Sequence, residues 1–166
     1  MKSKQIEMDK MLLIGVNFYG DPLSVKGGWD EENEIGKTWQ RFMTHKSKET
    51  YPAGNLNNTY FYEIHIYNDQ TEEKGLFEVF VGEEIDEIEA PIDLSIKCIP
   101  KGQYLCFTLV GEEIVGDFWQ KIDDYIEENY HMKRDKTFII QRYDERFKGM
   151  DILSESALDV LVPLVD

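Results

Sequence analysis

The sequence predicts an α+β fold: two tandem β-α-β-β units forming an antiparallel sheet, with two helices on one face. Three observations predict it. Several segments alternate polar and apolar residues with period two and are rich in β-branched and aromatic residues, the pattern of a strand. Two other segments place apolar residues at the spacing of one helical face, Ile35, Trp39, Phe42 and Met43 in the first and Val115, Phe118, Trp119, Ile122, Tyr125 and Ile126 in the second. Finally, the second half repeats the first. A shift of eighty positions lays Ile35, Trp39 and Phe42 on Val115, Trp119 and Ile122, His65 and Tyr67 on Glu145 and Phe147, and residues 79–81 on 159–161. Each unit alone is too small to bury its helix and sheet faces well, which favours one domain over residues 1–166. The units span about residues 6–86 and 93–166.

In order along the chain, residues 11–19 form a first strand, stopped by Gly20-Asp21-Pro22. Glu31, Glu32 and Glu34 near the start of the first helix complement its dipole, and residues 52–55 end it. Upstream of the helices the shift of eighty fails, because Gly20 pairs with Gly111; the first copy has the longer strand-to-helix loop. Strands follow at 59–68 and 76–83, joined by a polar turn. The acidic stretch Glu83, Glu84, Asp86, Glu87 and Glu89 reads as a solvated connector ending at Pro91. Residues 94–99 and 103–110 predict a hairpin about Pro100-Lys101-Gly102. The second helix leads to strands at 137–148 and 157–165, and Pro163 suggests an exposed edge for the last.

The chain has 166 residues, 42% hydrophobic and 13% aromatic, enough for a sizeable core and incompatible with general disorder. Its 33 acidic and 18 basic residues leave a net charge of −15, which repels a phosphate backbone and argues against nucleic-acid binding. The N-terminal MKSKQIEMDK lacks the apolar core of a signal peptide, and no apolar run is long enough to span a bilayer. A soluble cytoplasmic protein is expected. Cys98 and Cys106 form no C-x-x-C and read as two buried structural thiols.

Conventional catalytic and cofactor motifs are missing. Gly27-Gly28 lacks the Lys and Ser/Thr of a phosphate loop, no G-x-G-x-x-G or G-x-S-x-G occurs, and His45, His65 and His131 are dispersed. No cofactor and no metal are expected. The chemistry concentrates instead on residues 137–148. Alternation puts Arg142, Asp144 and Arg146 toward water and Ile139, Gln141, Tyr143, Glu145 and Phe147 inward, so Glu145 becomes an inward-facing carboxylate between two aromatic rings. Through the repeat, His65 is a further candidate, sharing a face with Phe61, Glu63 and Tyr67; the opposite face, Tyr60, Tyr62, Ile64 and Ile66, is more apolar. Trp39 and Trp119, at equivalent helical positions, would flank a cleft floored by the sheet. Aromatic walls around one carboxylate suit a flat or bulky organic cation.

On the pieces IGKTWQRF (35–42), FVGEEI (80–85), IPKGQYLCFTLVG (99–111), YDERF (143–147) and LDVLVPL (158–164), the chain resembles the effector-binding domains of AraC-type and MerR-type drug-responsive regulators, also called gyrase-inhibitor-like small-molecule-binding domains. The resemblance implies two fused β-α-β-β units with a ligand cleft at their junction. It implies that Glu145, the acid of the Glu-x-aromatic motif, faces the cleft and pairs with cationic lipophilic ligands, that Trp39 is the helix tryptophan lining that cleft, and that Tyr104 is the aromatic of the second unit's first hairpin. Phe147 replaces a tyrosine usual in the family. Lacking a helix-turn-helix segment, the chain is expected to be a stand-alone binding module for a hydrophobic cationic small molecule. The resemblance also leaves open a hydrolase using a cleft carboxylate and a protein-interaction module whose partner is a regulator or DNA gyrase.

Overall fold

The computed structural model describes residues 2–25, 30–52, 59–86, 90–130 and 132–165. Its elements are β1 (Lys2–Met8), β2 (Met11–Gly20), α1 (Glu34–Lys46), β3 (Phe61–Ile66), α2 (Asp69–Lys74), β4 (Phe77–Glu84), β5 (Ser95–Ile99), β6 (Gly102–Val110), α3 (Trp119–Asn129), β7 (Lys133–Arg134), β8 (Phe138–Tyr143) and β9 (Ala157–Val165). The expected α+β class holds: the strands build a nine-stranded antiparallel sheet in the order β1-β6-β9-β8-β3-β4-β2-β5, with β7 added to β9. The order is symmetric about the β3·β8 junction, each strand of the first half matching one of the second. The Gly27-Gly28 loop, residues 53–58, Glu87 and Glu89, and His131 lie outside the described residues.

Both main helices pack on one face of the sheet. Ile35 and Phe42 of α1 join Ile14, Val16, Val79 and Val81, while Ile122 and Ile126 of α3 join Leu105, Phe107, Val160 and Val162. The strand ladders make these one face, because Val81 pairs with Glu63, Glu63 with Gln141, Gln141 with Val160, and Val160 with Phe107. The opposite face is also buried. There Tyr62, Ile64, Phe80, Tyr104 and Ile140 pack with Ile6 and Met8 of β1 and Ile99 of β5. Those two strands end the strand order, so the sheet curls until its ends share a core.

Local chemistry sets the helix ends. The Asn33 side chain accepts from the Ile35 and Gly36 amides at 3.0 Å each and caps α1. Gly36 lets that end seat against the chain, since a Cβ there would stand 2.5 Å from the Asp30 carbonyl oxygen. The second helix starts later than its apolar pattern suggests. Gly116-Asp117 interrupts it, the Asp117 carboxylate accepts from the Trp119 amide, and Val115 is left outside the helix and exposed. Among the described residues no helix is long and apolar enough to cross a membrane.

Several sequence expectations are corrected by long-range pairing. The expected hairpin of residues 94–99 and 103–110 does not form: β5 pairs with β2, and β6 takes β1 and β9 as neighbours. The strand β9 is central rather than an edge, and Pro163 falls between the β8 ladder, which ends at Leu161, and the β7 ladder, which begins at Leu164. Cys98 is exposed because β5 is an edge strand, whereas Cys106 is buried. The 69–75 connection is not a simple turn but contains α2, capped by a reciprocal Asn68–Thr71 hydrogen-bond pair and ended at Gly75 with φ 73°.

Candidate functional site

The site lies where the two halves of the sheet meet beneath the helices. Period-two alternation on β3 points Phe61, Glu63 and His65 to the helix face, and β8 points Ile139, Gln141 and Tyr143 the same way. Glu63 is 1% exposed. Its Oε2 accepts a 2.6 Å hydrogen bond from the Trp39 indole N–H, delivered by α1, with the Tyr143 hydroxyl at 3.5 Å. Its Oε1 lies 2.8 Å from His65 Nε2 and accepts from the Gln141 side-chain amide at 3.2 Å. A buried carboxylate is costly unless such partners replace its water, and here the surrounding side chains supply them. The Tyr143 hydroxyl also donates to Gln141 Oε1 at 3.0 Å, so the cluster is internally connected.

His65 continues the chain of polar contacts outward. With Nε2 turned to Glu63, its Nδ1 faces the Tyr67 hydroxyl at 3.4 Å. Burial raises the Tyr67 phenol well above its ordinary range; Arg134 opposes the shift and Glu63 adds to it. Tyr67 therefore remains a neutral donor at any physiological pH.

Two cavities open on this cluster from opposite sides. The first, about 440 Å³, lies between the start of α1 and the start of α3, with Glu63, His65, Tyr67, Phe77, Trp119 and Gln141 among its walls. Asp21 adds a second acid, and no lysine or arginine lines it among the described residues. The second cavity, about 390 Å³, is walled by Trp39, Phe61, Tyr143 and Phe147, with Met43 and Glu145 also lining it. Outside the first, Trp119 and Tyr67 also border an open groove where Arg134 stacks 4.9 Å above the Trp119 ring and pairs with Asp123.

The seven residues singled out from sequence are thus divided. His65 and Trp119 line the first cavity, and Trp39, Tyr143, Phe147 and Glu145 the second. Tyr104 reaches neither: it sits on the opposite face, 1% exposed, and donates to the Pro100 carbonyl at 2.9 Å. Strand parity puts it there with Cys106, away from Leu105 and Phe107 on the helix face. Glu145 is not an inward strand residue. The strand stops at Tyr143, Asp144 turns the chain by accepting from the Arg146 amide, and Glu145 is exposed in that turn. Arg142 is not on a water-facing surface either; it is half-buried against Asp159 and the Tyr60 ring.

Glu63, the acid at the centre of the site, was legible only as a strand neighbour. Its signal was an acid inside FYEIHIY, flanked by apolar residues on both faces. The repeat pointed past it because the strands do not follow the helices' shift. When Gly20 is laid on Gly111, the ladders carry Val81 onto Val160 and Glu63 onto Gln141. The equivalent residues of the two halves are therefore Glu63 and Gln141, which face each other directly across the β3·β8 ladder.

Two β-α-β-β units fused through an antiparallel junction, with a polar cluster under aromatic walls, define a small-molecule effector-binding domain. The family model for integron-associated effector-binding proteins matches residues 6–164, and the chain belongs to that family. No curated protein matches it. Among solved structures, SAV2435 bound to tetraphenylphosphonium is 13% identical, with a TM-score of 0.65, covering 99% of this chain and 94% of that one. An integron cassette protein from the mobile metagenome of Vibrio cholerae is 15% identical, with a TM-score of 0.62 and coverage of 98% and 95%. The C-terminal domain of EcmrR is 12% identical, with a TM-score of 0.64 and coverage of 99% and 98%. At these identities the likeness is one of fold.

Proposed function

We propose that the chain is a binding module that captures hydrophobic organic cations in the cavity between α1 and α3, with Glu63 as its anionic anchor. The observation that carries this reading is a buried carboxylate at the floor of a cavity with two acids, aromatic walls and no lysine or arginine among its described lining residues. A cation entering there loses water but gains the Glu63 field in a poorly hydrated space. It also gains the faces of Phe77, Tyr67 and Trp119. Neutral ligands gain only the apolar and stacking part. The tetraphenylphosphonium complex of a structural neighbour supports the ligand class.

The test is calorimetric titration of tetraphenylphosphonium and neutral triphenylphosphine oxide into the wild type and Glu63→Gln. Gln keeps an acceptor for the Trp39 indole and removes the charge. The cation is expected to lose about 2–4 kcal/mol and the neutral compound much less. Equal losses for both would count against Glu63 as a charge anchor.

A further inference from the structure

Glu63 opens on the first cavity, while Trp39 and Tyr143, which lie against its Oε2, open on the second. The Trp39 indole therefore walls the second cavity and reaches, through its N–H, the carboxylate that floors the first. That wall is tied to the floor by a single hydrogen bond. Its other ring contacts are edge-on, to Tyr143 at 5.1 Å, Phe61 at 6.3 Å and Phe42 at 6.5 Å between centroids. Such contacts are individually modest in strength. On its far side lies about 390 Å³ of space bordered by Met43, an unbranched side chain that is 43% exposed and can yield.

Resting on the cation reading above, we propose that Trp39 is a movable partition that sets the size of ligand the site accepts. A compact cation occupies the first chamber with the Trp39–Glu63 bond intact. A bulky cation breaks that bond, turns the indole toward the second chamber and takes the released Glu63 Oε2 as its counter-charge. Bulky ligands are thus charged the free energy of one indole–carboxylate hydrogen bond, and compact ligands are not. Trp39 is a specificity-determining residue rather than only an aromatic wall.

The experiment compares tetramethylammonium with tetraphenylphosphonium, by calorimetry, on the wild type, Trp39→Phe and Trp39→Ala. Removing the indole N–H should raise the affinity ratio of tetraphenylphosphonium to tetramethylammonium by about 3- to 10-fold, the equivalent of one net hydrogen bond. Trp39→Ala, which also removes the wall, should raise it further. In the wild type, the ¹H–¹⁵N indole resonance of Trp39, assigned by its absence from Trp39→Phe, should shift with tetraphenylphosphonium and stay in place with tetramethylammonium. Assignment by triple-resonance spectra of the wild type alone keeps that measurement decisive if a variant fails to fold. A ratio unchanged by both variants, or an indole resonance unmoved by bound tetraphenylphosphonium, overturns the partition and leaves the cation reading standing. If the wild type binds neither cation, both fall.

Discussion

Trp39 and Glu63 are 24 residues apart in the chain and meet at 2.6 Å, indole N–H to carboxylate, on the axis where the two halves of the sheet join. The contact links the middle of α1 to the centre of the sheet. It makes one hydrogen bond serve both packing and the site. An indole is a donor only, so Oε2 is the acceptor.

Stability should register that link directly. Trp39→Phe preserves the ring contacts with Tyr143 and Phe61 but leaves a buried carboxylate oxygen short of its strongest donor. Urea unfolding should show a loss of about 1–3 kcal/mol. A loss below about 0.5 kcal/mol would mean that water replaces the indole freely.

The exposed position of Glu145 predicts a contrast with Glu63. It lies in a solvated turn, where a charge pair is screened. Glu145→Gln should weaken tetraphenylphosphonium by less than about 0.5 kcal/mol, several-fold less than Glu63→Gln. If Glu145→Gln shows the larger loss by calorimetry, the anchor is in the second cavity.

On the opposite face, Asp159 predicts acid sensitivity. Burial raises its carboxyl, but hydrogen bonds from Arg146, Arg142 and Thr108 outweigh that cost and hold it down at about 2, against 3.8 for an unperturbed aspartate. The folded state therefore releases this proton more readily than the unfolded chain. The stabilisation is complete above the unfolded value and is lost as pH falls from about 4 toward 2. It amounts to roughly 2 kcal/mol. Asp159→Asn should flatten that part of the stability–pH curve, measured by chemical unfolding at a series of pH values.

Gly15 and Gly82 stand opposite each other in the β2·β4 ladder beneath the Phe80 ring. A Cβ on Gly82 would lie 2.3 Å from the Ile14 carbonyl oxygen and 2.7 Å from the ring. Gly82→Ala should cost about 1–3 kcal/mol by overpacking against backbone, although alanine is the better strand former. Thermal unfolding checks it, and a neutral substitution would show that the sheet opens there without strain.

The two thiols should separate cleanly. Cys98 is exposed on an edge strand, and Cys106 is buried with its thiol pushed up first by burial and then by Asp159. A thiol-reactive dye should label one cysteine in the native protein and two after unfolding. Rapid labelling of both in the native state would place Cys106 at a surface.

Local pattern determined a great deal of this protein. Period two in residues 59–68 and 137–148 and a helical stripe through Ile35, Trp39 and Phe42 gave the α+β class. They also gave the inward parity of Gln141 and Tyr143. Those features depend on neighbours within a few residues, where side-chain direction is set by backbone geometry alone. What only the tertiary structure decided was which face each parity class meets and where each strand stops. Alternation shows that Glu63 and His65 share a face but not that α1 lowers an indole onto it. It cannot show that Asp144 ends β8 and puts Glu145 in solvent. Nor can it foresee that the sheet curls so that Tyr104 belongs to a second core, or that β5 leaves β6 for β2. Each of these is a contact between segments distant in sequence, and its free energy comes from surfaces that exist only once the other half has folded.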